Sequence, residues 1–535
     1  MLICLSGRYV EQELALHYGR IPPAFLPIAG ERLLTVLGRR FGQGERCILT
    51  LPVDFDLSDA DEACIAEAGF EAHRTDPTQG LTGAILEVLA AAAPEEPVRL
   101  LFGDTLVDLG SLTDAPDDFA VVKASRIDYP WTYGDASSGT ARFFAHDAQQ
   151  IDEMRVVCGY FRFSDPGLMR DAFAQPTLHD ALNAYSEHRT LALVDADTWN
   201  DFGHLALFYR SKRDLLVART FNSLNADELT LTKTSHQTAK MHAEAVWYET
   251  IPPRLALHTP RYIGRQHKAF KAGYQLEYLH LPTLSDMLVF GRLPQTSIAL
   301  IQSRCLRLLK TFRDIQPEAE APEASPQYAA RFYDEIIERK TWTRLESFCE
   351  GFDCGLDTEF SLNGQRLPAL GQLVDRVLAQ IPRTTPDDIC FWHGDFFFGN
   401  LFFDFNTQRV IMVDPRGMLF DNVLTQFGDY RYDLGKLAHS VLGGYDHIIA
   451  HQVSVARPAQ DKLSLHLPAF EAGQAQKAAQ QFCARVEAEL GVSQEALTAL
   501  AAMMFFSMLP LHHDNPTRQT ALFANALRLA QSLEG

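Results

Sequence analysis

Between Phe391 and Gly417 the chain reads FWHGDFFFGNLFFDFNTQRVIMVDPRG. Asp395 is followed five residues later by Asn400, then by a turn and an apolar strand, RVIMVD, that ends on Asp414. Phosphoryl transfer asks little covalent chemistry of a protein, but it needs a carboxylate to orient the attacking hydroxyl and oxygen ligands to hold magnesium on the phosphates. Asp395 fits the first task, Asn400 and Asp414 the second. Three polar residues at fixed spacing inside so apolar a segment are a specific signal. The plain alternative is a buried loop in which His393 and Asp395 satisfy backbone groups.

This HGDxxxxN run with its downstream Asp resembles the motif of the aminoglycoside phosphotransferase and choline kinase families, which share the protein-kinase-like fold. The resemblance implies an upstream lobe in which a strand lysine pairs with a glutamate on the next helix, the ion pair that positions ATP phosphates. Lys233, in the strand-like ELTLTKTS, and Glu244, eleven residues later in the helical HQTAKMHAEAVWYETI, take those places. Lys240 and Glu249 share that helical stretch and read as a solvated face. LEYLHL, with Glu277 and Leu279, corresponds to the hinge that hydrogen-bonds adenine. The turn SLNADE between the first two strands has no glycine, so a glycine-rich phosphate cradle is missing. Asp201-Phe202-Gly203 spells a kinase metal-binding triplet but precedes both Lys233 and Asp395, so it is assigned to another domain.

Upstream, LICLS, RCILTLPV, VRLLFGD and FAVVKAS alternate with helical stretches, which predicts an α/β domain with a mostly parallel sheet covered on both faces. Ligands of such sheets bind beyond the carboxyl ends of the strands, which singles out Asp104. The segments IPPAFLPIAGERLL, LLFGDTLV, YPWTYGDAS, GYFRFS and TWNDFGHLALFYRSKRDLL resemble, in order, those of a sugar-1-phosphate or phosphocholine nucleotidyltransferase. That resemblance implies a Rossmann-like, GT-A type fold, with Asp104 and Asp201 as the two carboxylates on one magnesium ion. It also makes Gly7 and Arg8 the remnant of a glycine-rich nucleotide loop, reduced here to LSGRYVEQE. Ala24 stands where the family has a lysine, and Arg8, Arg20 and Lys123 are the candidates to replace its charge. Tyr129 and Trp131 read as strand packing.

The 535 residues carry 48 Lys plus Arg against 68 Asp plus Glu, a formal net charge of −20, the wrong sign for gripping nucleic acid or an anionic membrane by bulk electrostatics. At 47% hydrophobic and 22% charged residues the composition is that of a folded globular chain. The opening MLICLSGRYVEQ lacks the apolar length of a signal peptide, and nine scattered cysteines without CxxC spacing predict reduced thiols, so a cytoplasmic protein is expected. The apolar run from Ala499 to Leu511 reads as a buried helix rather than a membrane span.

The expected organisation is a nucleotidyltransferase-like domain at 1–215, an α+β kinase N-lobe at 216–282 and a kinase C-lobe at 283–535, with a mobile insertion near 315–328 where PEAEAPEASPQ falls. The two resemblances imply a bifunctional enzyme, similar to proteins of bacterial capsule or other surface-polysaccharide pathways. ATP would phosphorylate a small hydroxyl compound, a sugar first and choline, ethanolamine or a polyol behind it. A second NTP would then couple to the product and release pyrophosphate. The alternative is a kinase alone, its first domain an inactive nucleotide-binding or scaffold module. Mg2+ is the expected cofactor; nucleotides and the hydroxyl substrate are the expected partners, with no nucleic acid and no membrane insertion, and a homo-oligomer stays open.

Overall fold

Strands that are apolar at every position have to be covered on both faces, and LICL and CILTLP are such strands. In the computed structural model, which describes residues 1–110, 116–125, 127, 129–137, 139–145, 154–215, 222–268, 271–420, 422–471 and 473–533, both lie inside a nine-stranded sheet. Leu2 and Cys4 belong to one buried core, Ile3 and Leu5 to another, as the two-residue side-chain period of a strand requires.

The chain divides into two compact units, Met1–Leu215 with Phe290–Arg292, and Leu216–Val289 with Leu293–Gly535. Residues 216–221, where the sequence reading begins the kinase lobe, lie outside the described residues. In the first unit Val98–Phe102, Leu2–Leu5, Cys47–Pro52 and Phe70–Thr75 are parallel neighbours. Met154–Phe163 then runs antiparallel between Val98–Phe102 and Phe119–Ser125, so the sheet is mixed where a mostly parallel one was expected. A parallel crossover needs a dozen or more residues, usually a helix. Val98–Phe102 and Phe119–Ser125, both antiparallel to Met154–Phe163, run the same way; among its described residues the link between them has no helix, and Thr105–Asp108 within it forms a ribbon with Thr198–Asp201. That ribbon sets the spacing of Asp104 and Asp201.

At the start of Phe119–Ser125, buried Asp118 ties the sheet to the helix Leu178–Ser186. It accepts from the Ser164 backbone N–H at 2.6 Å, the Ser164 hydroxyl at 2.7 Å and the Tyr185 hydroxyl at 2.6 Å. Burial opposes its ionisation, but these donors outweigh burial and hold its carboxyl below the usual range. A lowered folded value means stability that is present above the unfolded carboxylate pKa near ~4 and is lost as pH falls through the folded one. Asp118→Ala is therefore expected to destabilise this unit by ~2–4 kcal/mol at neutral pH. The difference should narrow below pH ~4, as read by parallel thermal denaturation of both proteins across pH.

The second unit opens with four antiparallel strands in the order Asn222–Ala226, Thr230–Ser235, Lys271–Glu277, Tyr262–Lys268. The helix Thr238–Glu249 packs on them, and the remainder is mostly helical, including Gln295–Arg313, Lys340–Phe352, Tyr430–Val441, Gln494–Met508 and Pro516–Gln531. At the end of the segment expected to be mobile, the Tyr328 hydroxyl donates to the Phe427 carbonyl at 2.8 Å. One helix among the described residues, Gln494–His512, is long and apolar enough to cross a membrane by length and composition, longer than the sequence run indicated. Most of it is buried in the unit's core. All nine cysteines are free.

Candidate active site

Strand Thr230–Ser235 turns Lys233 inward, and the following helix brings Glu244 to it from the side, both fully buried. The Lys233 ammonium lies 2.8 Å from Glu244 Oε2 and 2.9 Å from Asp414 Oδ1. Tyr274, on the neighbouring strand, donates its hydroxyl to the same Glu244 oxygen at 2.6 Å. Lys240, read from the sequence as a solvated residue, approaches the other Glu244 oxygen at 3.8 Å. Burial works against the Lys233 charge, yet Asp414 and Glu244 together raise its pKa, so it stays protonated. One ammonium cannot neutralise two carboxylates, and burial followed by the Asp414 charge lifts the Glu244 carboxyl.

Asp395 sits on the turn after strand Ile389–Phe391. Gly394 has φ +81°, and a Cβ there would come within 2.6 Å of the Arg416 Cβ, so the turn requires glycine. Asp433, buried in the helix Tyr430–Val441, accepts the His393 and Gly394 N–H groups at 2.6 and 2.8 Å; burial pushes its carboxyl up to about 7. The Asn400 amide donates to both the carbonyl and the Oδ2 of Asp395 at 3.0 Å, which leaves its own oxygen to another partner. The Val413 N–H bonds the Asn400 carbonyl at 3.0 Å, which seats Asp414, at φ +59°, next to Asn400. Burial opposes ionisation of Asp395, but the Lys436 ammonium 2.9 Å from Oδ1 outweighs it and holds the carboxyl far below the usual range.

Lys233 thus contacts Glu244 and Asp414 directly, Asn400 contacts Asp395, and the Val413 N–H ties the two groups through the backbone. Glu277 and Leu279 make no direct contact with these residues; they line a cleft of about 880 Å³ with Tyr262, Asp404, Arg409 and Tyr248, whose ring packs on Tyr274. The Glu277 carboxylate faces the Arg261 N–H at 3.3 Å. Sequence reasoning missed Tyr274, Asp433 and Lys436. The available signal was the polar Asp433 and Lys436, three residues apart, in a helix whose other positions are largely apolar.

In the first unit Asp104 follows the carboxyl end of Val98–Phe102, and its carbonyl accepts the Phe202 N–H at 2.8 Å. Both candidate carboxylates meet at Gly203. The Gly203 N–H donates to Asp201 Oδ1 at 3.0 Å, and a Cβ on Gly203 would lie 2.3 Å from Asp104 Oδ2. Burial first, then the Asp201 charge, pushes the Asp104 carboxyl up to about 7. His204 braces Asp201 at 2.9 Å and packs tilted on Tyr129 and edge-on to Trp131, so these aromatics border the site rather than fill a strand interior. The kinase-like spelling Asp201-Phe202-Gly203 belongs to this unit.

Gly7, Arg8 and Asp104 line one cleft of about 320 Å³ with Glu11, Asp76 and Gly80, three residues the sequence reading passed over. Gly7 is required there, since a Cβ would fall 2.3 Å from Thr75 Oγ1. Asp201 lines an adjoining cleft with Lys123, Trp199 and Arg210. Ala24 is buried and gives its N–H to Ser6 Oγ at 3.0 Å. Of the proposed substitutes for a lysine, Lys123 is occupied by the Ala196 and Asp197 carbonyls and Arg20 lies over the Tyr9 ring. Arg8 alone of the three lines the cleft. Among the described residues no three His, Cys, Asp or Glu side chains converge on one point as a ready-made metal cluster.

Residues 219–453 match the profile of the phosphotransferase enzyme family, APH, so the C-terminal region carries a phosphotransferase domain of that kind. Solved structures similar to this chain fall in two groups. A nucleoside-diphosphate-sugar pyrophosphorylase from Vibrio cholerae is 13% identical, covers 40% of this chain and 99% of its own, with a TM-score of 0.32. The inositol-1-phosphate CTP transferase from T. maritima is 14% identical over 40% of this chain and 95% of its own, at 0.32. A thermostable mutant of aminoglycoside phosphotransferase APH(4)-Ia, in complex with AMP-PNP and hygromycin B, is 12% identical over 60% of this chain and 93% of its own, at 0.35. A search of curated proteins returned no match.

Proposed function

We propose that the chain is a bifunctional enzyme, an ATP-dependent small-molecule kinase joined to a nucleotidyltransferase, that makes a nucleotide-activated precursor. The observation that carries the kinase half is Lys233 held between Glu244 and Asp414, with Asp395 and Asn400 in contact beside them. Lys233 would bind the ATP phosphates, and Asn400 orients Asp395 toward the acceptor hydroxyl. Asp395 is a weak base, which suffices where the transition state is loose and the hydroxyl keeps its proton late. The donor set suits magnesium: the Asp414 carboxylate and the Asn400 amide oxygen are hard ligands, and the carboxylates around Lys233 exceed the ammonium charge. When bound, the ion supplies charge neutralisation at the transferred group.

In the first unit, the neighbouring carboxylates Asp104 and Asp201, the second braced by His204, suit a second magnesium ion, and Gly7 and Arg8 would meet the phosphates of an NTP. The product of the kinase would be the substrate here, and joining consecutive steps in one chain raises the intermediate's effective concentration where geometry allows. A sugar is the first reading of the acceptor and surface-polysaccharide synthesis the setting, in the cytoplasm where nucleotides are supplied. Choline, ethanolamine or a polyol with cytidylyl transfer is the alternative. A kinase with an inactive first unit is favoured by one observation, the uncharged and buried Ala24. The test is mass spectrometry of small molecules after incubation with Mg2+, ATP, CTP, UTP, GTP and an acceptor library. Gain of a full nucleotide supports two activities, gain of one phosphate alone supports the kinase-only reading, and no gain overturns both.

A further inference from the structure

Near Asp395 the second unit gathers positive charge around the Tyr432 hydroxyl. Lys340 and Arg344 stand one turn apart on the helix Lys340–Phe352, and Arg416 follows Asp414 in the loop whose N–H bonds the His393 carbonyl at 2.9 Å. Arg416 Nη2 and Lys340 Nζ both donate to the Tyr432 hydroxyl, at 3.1 and 2.8 Å. Arg344 Nη1 donates to the Ser507 carbonyl at 2.7 Å. Among the described residues, none of the three forms an ion pair with a carboxylate. The nearest acids are already engaged, Asp395 with Lys436 and Asp433 with two backbone N–H groups.

The contrast with Lys233 is instructive, since that buried ammonium has two carboxylates. Structural cations in protein interiors are paired, because an unpaired one pays a large desolvation penalty. Here burial and then the neighbouring arginines pull the Lys340 ammonium down to about 7. The Tyr432 hydroxyl, despite burial, is drawn down to about 6 by Arg416 and Lys340. Both shifts run toward discharging the cluster. Lys340, Arg344, Arg416 and Lys436 are each half-buried, so they reach solvent.

We infer that the acceptor of the kinase unit carries an oxyanion of its own, a phosphate ester or a carboxylate, and that Lys340, Arg344 and Arg416 bind it while Asp395 addresses the hydroxyl. Arginine forks and an ammonium match such a group in geometry and charge. The cluster belongs to the helical part of the unit, whereas Lys233 and Asp414 serve the ATP phosphates in the reading above, on which this inference rests. Choline and ethanolamine, which are cations, are disfavoured as acceptors, and so are uncharged sugars.

The test uses the full chain with Mg2+ and ATP and sets of matched acceptors: a sugar or polyol, its phosphate ester and its acid. A preference in kcat/KM of about 10- to 100-fold or more for the anionic members is expected, with the two anionic members telling the sources apart. In Arg344→Gln and Lys340→Gln that preference should shrink toward unity. Arg344→Lys, which keeps the charge, should restore part of it and guards against a folding defect. Inorganic phosphate should inhibit the unaltered enzyme competitively with acceptor. Equal activity on neutral and anionic acceptors, or variants that raise the KM for ATP instead, would overturn the inference and leave the kinase reading intact. Transfer from ATP to no member of either class would overturn the kinase reading and this inference with it.

Discussion

Asp395→Asn is expected to lower ATP-dependent phosphorylation by ~10²- to 10⁴-fold, the usual cost of losing a positioned general base. The substitution is nearly isosteric, so Asn400 keeps a hydrogen-bond acceptor at the side-chain oxygen and the backbone contacts of the turn to Asp433 are untouched. What is lost is the charge that Lys436 holds ionised at 2.9 Å. ATP binding should survive, because Lys233, Glu244 and Asp414 remain in place. A coupled assay for ADP, run beside calorimetric titration with a non-hydrolysable ATP analogue, separates the two effects. Turnover within ~10-fold of the unaltered enzyme would remove Asp395 from the reaction. Pyrophosphate release in the same preparation should be unchanged, and its loss in equal measure would show that the two chemistries do not occupy separate sites.

The kinase-like site was legible because its parts are local. Asp395, Asn400 and Asp414 fall within one short stretch, and Lys233 and Glu244 within one strand and the next helix, so spacing alone constrains their geometry. Lys436, Asp433 and Tyr274 were invisible for the opposite reason: each enters from a distant element, and its role exists only after packing. In the first unit, Asp104 and Asp201 are far apart in sequence and are joined by a two-stranded ribbon that no periodicity announces. The order of motifs pointed to the pair, whereas composition and spacing did not. The antiparallel strand Met154–Phe163 was missed because an apolar strand looks the same in parallel and antiparallel settings, and its place between Val98–Phe102 and Phe119–Ser125 exists only after folding. The positive cluster at Tyr432 was missed since Lys340, Arg344 and Arg416 look like ordinary surface charges until the structure removes their expected carboxylate partners.

For the first unit, Asp104→Ala is expected to abolish pyrophosphate release, by ~10³-fold or more, since a metal ion on the reacting phosphates is worth several kcal/mol of transition-state charge stabilisation. Asp104 is the better choice for this test than Asp201. Asp201 also accepts the Gly203 and His204 N–H groups and the His204 ring, so its loss would disturb the turn itself. Asp104 instead faces a like charge in a buried setting, and removing it relieves repulsion. The variant should therefore melt no lower than the unaltered protein without magnesium, while any rise in melting temperature on adding Mg2+ with an NTP should be lost. Kinase turnover is expected to be unaffected. If the unaltered protein binds an NTP calorimetrically but forms no pyrophosphate with any phosphorylated acceptor, the first unit senses or holds a nucleotide without consuming it. In that case the absent lysine at Ala24, which Arg8 does not replace, is the physical reason.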